Sequence, residues 1–139
     1  MAEAKLAVVA RRHPNAVVLA ADSVVAVGRR ILPKALSEAE ARSCLGLLSG
    51  RRHRVIGGVA VAIGNHSRTR VVESVVRFRR LAADDVDAYL ASGEWRDKAG
   101  GYAIQGRAAC FVAFLSGSYS NVVGLPLFET AALLRAMTP

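Results

Sequence analysis

A chain of 139 residues is long enough for one domain with a buried core that needs neither disulfides nor a structural metal. Its 53% apolar and 22% charged residues exclude a disordered chain, and no apolar run approaches the roughly 20 residues of a helical membrane span. A formal charge of +8, from 19 Lys and Arg against 11 acids, favours polyanionic partners: nucleic acid, anionic lipid or a phosphate-bearing small molecule.

Where that charge lies narrows the choice. It falls in doublets, Arg11-Arg12, Arg29-Arg30, Arg51-Arg52 and Arg79-Arg80, spread along the chain. Nucleic-acid binders gather it on one helix or an aromatic-studded stripe. The expectation is a solvated surface for most of these arginines and a phosphate site built from a few, with neither nucleic acid nor membrane as partner. Met1 to Arg12 carries a Glu and a Lys in its apolar stretch and no small-residue cleavage site, unlike a secretory signal. Cys44 and Cys110 lie far apart with no Cys or His at ligand spacing, which points to reduced thiols and a cytoplasmic chain.

In chain order, residues 2–12 read as a helix with Leu6 and Val9 on one face beside Ala2 and Ala10. His13-Pro14-Asn15 stops it. Ala16 to Ala20 reads as a strand buried on both faces, and it leads through Asp22 into a second apolar run, Ser23 to Val27, closed by Gly28. Ser37-Glu38-Ala39-Glu40 has capping-box spacing and starts a helix to Leu48, ended by Ser49-Gly50. Val55 to Ile63 and Arg70 to Phe78 read as a hairpin around Gly64-Asn65-His66-Ser67. Ala83-Asp84-Asp85 opens a short helix with Val86, Tyr89 and Leu90, which Ser92-Gly93 ends. Cys110 to Leu115 reads as a strand, and Pro126 opens a last helix to about Ala136. No repeat or linker appears, so residues 1–139 are expected to form one domain of α/β or α+β class.

Several familiar chemistries fail on residue type or spacing. The glycine loop Gly101 to Gly106 is followed by Arg107-Ala108, where a P-loop needs Lys and then Ser or Thr. His13, His53 and His66 share no ligand spacing, and each is expected at a loop or strand edge. Ser116-Gly117-Ser118 lacks the frame of a nucleophile elbow. Asp22 is different, because an acid between two buried strand segments is costly unless it is paired or holds a metal. With Lys34, Arg51, Asp97, Lys98, Gln105, Ser118 and Asn121 it makes a set suited to a metal-bridged polyphosphate. A carboxylate holds the ion or orients water, cations neutralise phosphate, and amides read a base or sugar.

Five segments of the sequence then resemble one family, the Maf proteins. Ala21-Asp22-Ser23-Val24-Val25 is similar to its Ala-Asp-Thr-Val-Val, and Ile31-Leu32-Pro33-Lys34 to its Ile-Leu-Gly-Lys-Pro. Leu48-Ser49-Gly50-Arg51-Arg52-His53-Arg54-Val55 resembles Leu-Ser-Gly-Arg-x-His-x-Val. Asp97-Lys98-Ala99-Gly100-Gly101-Tyr102-Ala103-Ile104-Gln105-Gly106 resembles Asp-Lys-Ala-Gly-x-Tyr-x-Ile-Gln-Gly. Gly117-Ser118-Tyr119-Ser120-Asn121-Val122-Val123-Gly124-Leu125-Pro126-Leu127 closes the set, which runs in family order over residues 21 to 127.

The resemblance implies an α/β fold of Maf/ITPase type, a mixed twisted sheet flanked by helices. It implies a nucleoside triphosphate pyrophosphatase that cleaves between the α- and β-phosphates with a divalent cation, Mg²⁺ or Mn²⁺. By the same resemblance Asp22 would be general base or metal ligand. Lys34, and Lys5 on the first helix, would hold the triphosphate with Arg51 and Lys98 as further substrate-binding cations, and Gln105 would lie in the same cleft. The Ile-Gln-Gly and Ser-Tyr-Ser-Asn-Val-Val-Gly forms resemble the branch acting on dTTP and UTP, not the one preferring 7-methyl-GTP. Homodimers are common in the family.

Departures accompany the likeness. Ser23 stands for Thr, Pro33 for Gly and Ala35 for Pro, and Gly57 replaces a frequent Thr. The family opens with a strand and a phosphate-gripping Ser-x-Ser-Pro-Arg-Arg loop, whereas this sequence starts at the later helix. The expectation is therefore an N-terminally truncated domain with weak or no turnover. The alternative reading is a non-catalytic Maf-like module that binds nucleotides or a protein.

Overall fold

Strand and helix periodicities set most of the architecture, seen in a computed structural model that describes residues 2–12 and 15–138. The elements in order are α1 (Ala2–Arg12), β1 (Val17–Val27), β2 (Arg30–Leu32), α2 (Glu38–Leu48), β3 (Arg52–Ile63), β4 (His66–Phe78) and α3 (Ala83–Ser92). A 3₁₀ turn (Arg107–Phe111), β5 (Val112–Ser116), α4 (Tyr119–Val123) and α5 (Leu127–Met137) follow. The class is α/β, as expected. The five strands form one sheet in the order β2-β1-β3-β4-β5. β1 pairs antiparallel with β2 through Val25↔Leu32 and Val27↔Arg30, and β4 pairs antiparallel with β5 through Val75↔Ser116 and Arg77↔Phe114. The two-residue link Gly64-Asn65 makes β3 and β4 a hairpin.

The chain divides into two compact units: residues 1–23, 56–73 and 118–139, and residues 24–55 and 74–117. In the first, Ala2 and Leu6 of α1 pack on Val18 and Ala20 of β1 and on Ala60 and Ala62 of β3. Val59 and Val61, the alternate residues of β3, pack instead on Leu133 of α5 with Leu125, Leu134 and Met137 around it. Successive side chains of a strand point to opposite faces, so this stretch of β3 is buried on both. The second unit has an aromatic core. Phe78 meets Tyr102, His53 and Phe111 with ring centroids 4.8, 5.1 and 5.9 Å apart, and Tyr89 meets Phe111 at 5.6 Å, all edge to face. Such pairs each add about 0.5–1.5 kcal/mol beyond burial. Two polar groups of this core are engaged: Ala103 N–H donates to the Tyr89 hydroxyl (3.0 Å), and buried Trp95 donates Nε1–H to the Leu90 carbonyl (2.9 Å).

Several expectations need correcting. Ala16–Ala20 is not a separate strand buried on both faces. Its residues lead into and begin the eleven-residue β1, where burial alternates and Val17 and Leu19 are exposed. On α1, Ala2 and Leu6 are buried while Val9 is exposed. The expected stop at His13-Pro14 lies outside the described residues. Ser37 caps α2 by accepting from Glu40 N–H (3.2 Å), but Glu40 reaches past the cap to accept from Leu36 N–H (2.9 Å). The hairpin strands are longer than their sequence pattern suggests, because Arg52 to Arg54 and His66 to Thr69 are also strand. Cys110 and Phe111 belong to the 3₁₀ turn and not to β5. β2 and α4 are additions to the elements expected from sequence.

Candidate active site

Asp22 lies near the middle of β1, an interior strand, with its side chain 14% exposed. Its carboxylate accepts the Ser23 N–H (3.0 Å), and the Lys5 ammonium of α1 stands 3.5 Å away from a half-exposed stem. The cost of an acid on a sheltered strand is offset by that cation and that amide. Asp22 is thus paired with Lys5, and not with an arginine, and both residues belong to the first unit.

Lys34, Arg51, Lys98 and Gln105 belong to the second unit, and all four are exposed. Lys34 forms an isolated antiparallel bridge with Ala99, and Ala35 N–H donates to the Lys98 carbonyl (3.1 Å), so the backbone brings the two lysine-bearing loops together. The departures at 33 and 35 fit this arrangement. Pro33 needs only its carbonyl, which accepts from Gly100 N–H (3.1 Å), and Ala35 supplies an N–H that proline lacks. Arg51 lies at the start of the hairpin, where its carbonyl accepts from Phe78 N–H (3.1 Å) and its guanidinium approaches Gly28. Gln105 is exposed on the loop before the 3₁₀ turn.

Two residues of the wider set serve packing. Asn121 is fully buried and donates its amide to the Val72 carbonyl (3.0 Å), which commits it to β4. Ser118 caps α4 by accepting from Asn121 N–H (3.1 Å). His53, expected at a loop or strand edge, is instead buried on β3, where its Nε2 shares a 2.6 Å hydrogen bond with the Tyr102 hydroxyl. Burial lowers its pKa to about 4. The signal is present in the alternation of Arg52 and Arg54 with His53 and Val55, which places the histidine on the apolar face.

A divalent cation can be tested against the donors present. Among the described residues no three of His, Cys, Asp and Glu stand close enough to hold an ion. A lone carboxylate such as Asp22 does not make a protein cage of the zinc kind. It does fit magnesium, which binds through one or two carboxylates, with substrate phosphates and waters filling the remaining positions.

Known proteins share much of this sequence. The chain is 61% identical to a dTTP/UTP pyrophosphatase of Maricaulis maris over 132 residues, 92% of this chain and 64% of that one. It is 62% identical to one of Paramagnetospirillum magneticum, covering 96% and 71%, and 66% identical to one of Granulibacter bethesdensis, covering 86% and 57%. The chain therefore spans between 57% and 71% of the length of these relatives. The profile of the Maf-like protein family matches residues 1–137, essentially the whole chain. With that match, and with identities of this size beside it, the chain belongs to the Maf-like protein family.

Proposed function

We propose that this protein is a nucleoside triphosphate pyrophosphatase acting on dTTP and UTP. The observation that carries the proposal is its 61–66% identity to relatives named for that activity. The chemistry of the chain agrees with it. Water attacks the α-phosphorus, the Pα–O bond to the β-phosphate breaks, and pyrophosphate leaves with the bonding pair. Asp22 takes the proton of the attacking water. Lys5, Lys34, Arg51 and Lys98 neutralise charge on the phosphates, and Gln105 hydrogen-bonds the nucleotide. Positioning and charge neutralisation dominate this class of reaction, so no covalent intermediate is required. A divalent cation held by Asp22 and the substrate phosphates, Mg²⁺ or Mn²⁺, would neutralise further charge.

A panel of dTTP, UTP, CTP, ATP, GTP and 7-methyl-GTP, assayed for pyrophosphate with Mg²⁺ or Mn²⁺ and with chelator, tests the proposal. Release from dTTP and UTP ahead of the others, lost with chelator, is the expected result. Release of orthophosphate, or a preference for 7-methyl-GTP, counts against it.

The same reading includes two finer proposals. One is a cytoplasmic location, where nucleoside triphosphates are made and kept. Among the described residues no helix is long and apolar enough to cross a membrane, and cell fractionation checks the compartment. The other is a homodimer. Tyr119, Val123, Leu127 and Phe128 of α4 and α5 are exposed, Phe128 to 80%, and apolar surface of this kind favours association. Light scattering should give twice the chain mass for the wild type and a smaller mass for Phe128→Glu. A wild-type monomer would refute the homodimer.

A further inference from the structure

We propose that Asp97 is a positioning residue whose left-handed backbone latches the Asp97–Gly101 loop onto the Pro33–Ala35 segment and so fixes Lys34. The inference rests on the proposed function, where Lys34 has its role. Among the described residues Asp97 is the one residue other than glycine at positive φ, at 60°. It is the third residue of the turn that Lys98 N–H closes on the Trp95 carbonyl (3.2 Å), a position where type II turns favour glycine or asparagine. Its carboxylate has no hydrogen bond or ion pair among the described residues, so nothing at the side chain accounts for this conformation. The backbone around it does.

Asp97 N–H donates to the Ala35 carbonyl (2.9 Å), and Ala35 N–H returns a bond to the Lys98 carbonyl (3.1 Å). Gly100 N–H donates to the Pro33 carbonyl (3.1 Å), and Lys34 bridges Ala99 between them. Each residue from 33 to 35 is thereby held by the facing loop. The loop is itself pressed onto a floor. Gly100 at φ 70° and Gly101 at φ 77° adopt a backbone that side chains disfavour and lie close against their neighbours, since a Cβ would stand 3.0 Å from Val25 and 3.3 Å from Ala41. An unfavourable backbone conformation persists only where its surroundings over-determine it, and here they do so beside an exposed lysine. The Lys34 side chain stays free for a phosphate while its backbone is fixed.

Two substitutions separate backbone from carboxylate. Asp97→Ala penalises the left-handed conformation, whereas Asp97→Gly accommodates it and also removes the acid. The experiment reads amide hydrogen exchange at Ala35 and Gly100, and kcat/KM for dTTP, in both variants. In Asp97→Ala, exchange at both amides should rise about tenfold and kcat/KM should fall about tenfold. Asp97→Gly should stay within about threefold of wild type on both readouts. In a Lys34→Ala background, adding Asp97→Ala should change kcat/KM by less than about twofold, because the latch acts through that lysine. Unchanged exchange in Asp97→Ala would overturn the latch. So would equal impairment of the glycine variant, which would give the role to the carboxylate, or effects that multiply with Lys34→Ala. If the wild type hydrolyses neither dTTP nor UTP, the proposed function fails, and hydrogen exchange still decides the latch.

Discussion

Protonating His53 means placing a charge among Phe78, Tyr102 and the rest of the aromatic core, and the fold resists it. Burial lowers the folded-state pKa to about 4, below the roughly 6.5 of an unfolded chain. Between those values the unfolded state binds more protons, so stability rises with pH in this window. The His53 contribution is complete above pH 6.5, declines as pH falls toward 4, and is flat below that. Lowering the pH from 7 to 5 should cost about 2 kcal/mol from this residue alone. Urea midpoints at the two pH values check this, and His53→Gln should lose most of the difference. An equal pH effect in that variant would assign it to the carboxylates instead.

Packing between elements explains the departure at Gly57. A Cβ there would collide with Asn121 Oδ1, and Asn121 cannot move aside without giving up its bond to the Val72 carbonyl. The buried amide of α4 occupies the space that a threonine at 57 would need. Gly57→Ala should therefore destabilise by about 1–3 kcal/mol, the range for overpacked cores, as read from urea midpoints. Combined with Asn121→Ala it should cost less than the sum of the two single changes. Additivity of the two would show that they do not meet.

Elements also differ in how legible they are in the sequence. α2, α3 and the hairpin can be read because capping residues, turn residues and alternation are local signals, and Ser37 caps where its spacing says it should. β2 escapes because three residues carry no periodicity, and α4 because its five residues are held by the side-chain cap of Ser118 and not by an apolar face. Ala16–Ala20 misleads because a run of apolar residues does not reveal which neighbours cover it. The pairing of Lys5 with Asp22 is not legible in the sequence, since contact across a helix and a strand leaves no mark in spacing. Neither the strain at Asp97 nor the loop pairing around Lys34 has any sequence signature, because both arise from long-range backbone hydrogen bonds.

At the scale of the molecule, the chain belongs to the Maf-like protein family and has an α/β fold. The chain spans 57–71% of its relatives' length, so its catalysis has to be measured on the chain itself. The net charge of +8 suits a triphosphate substrate without naming one. The most direct test follows pyrophosphate release from dTTP by the wild type and by Asp22→Asn, with folding of both confirmed by thermal melts. The expected result is slow but measurable release by the wild type, as the weak turnover expected from the sequence requires, and a loss of at least about a hundredfold in the variant, the scale of a missing general base. Undetectable release by the folded wild type, or release that the substitution leaves unchanged, would contradict the role given to Asp22 and the activity built on it.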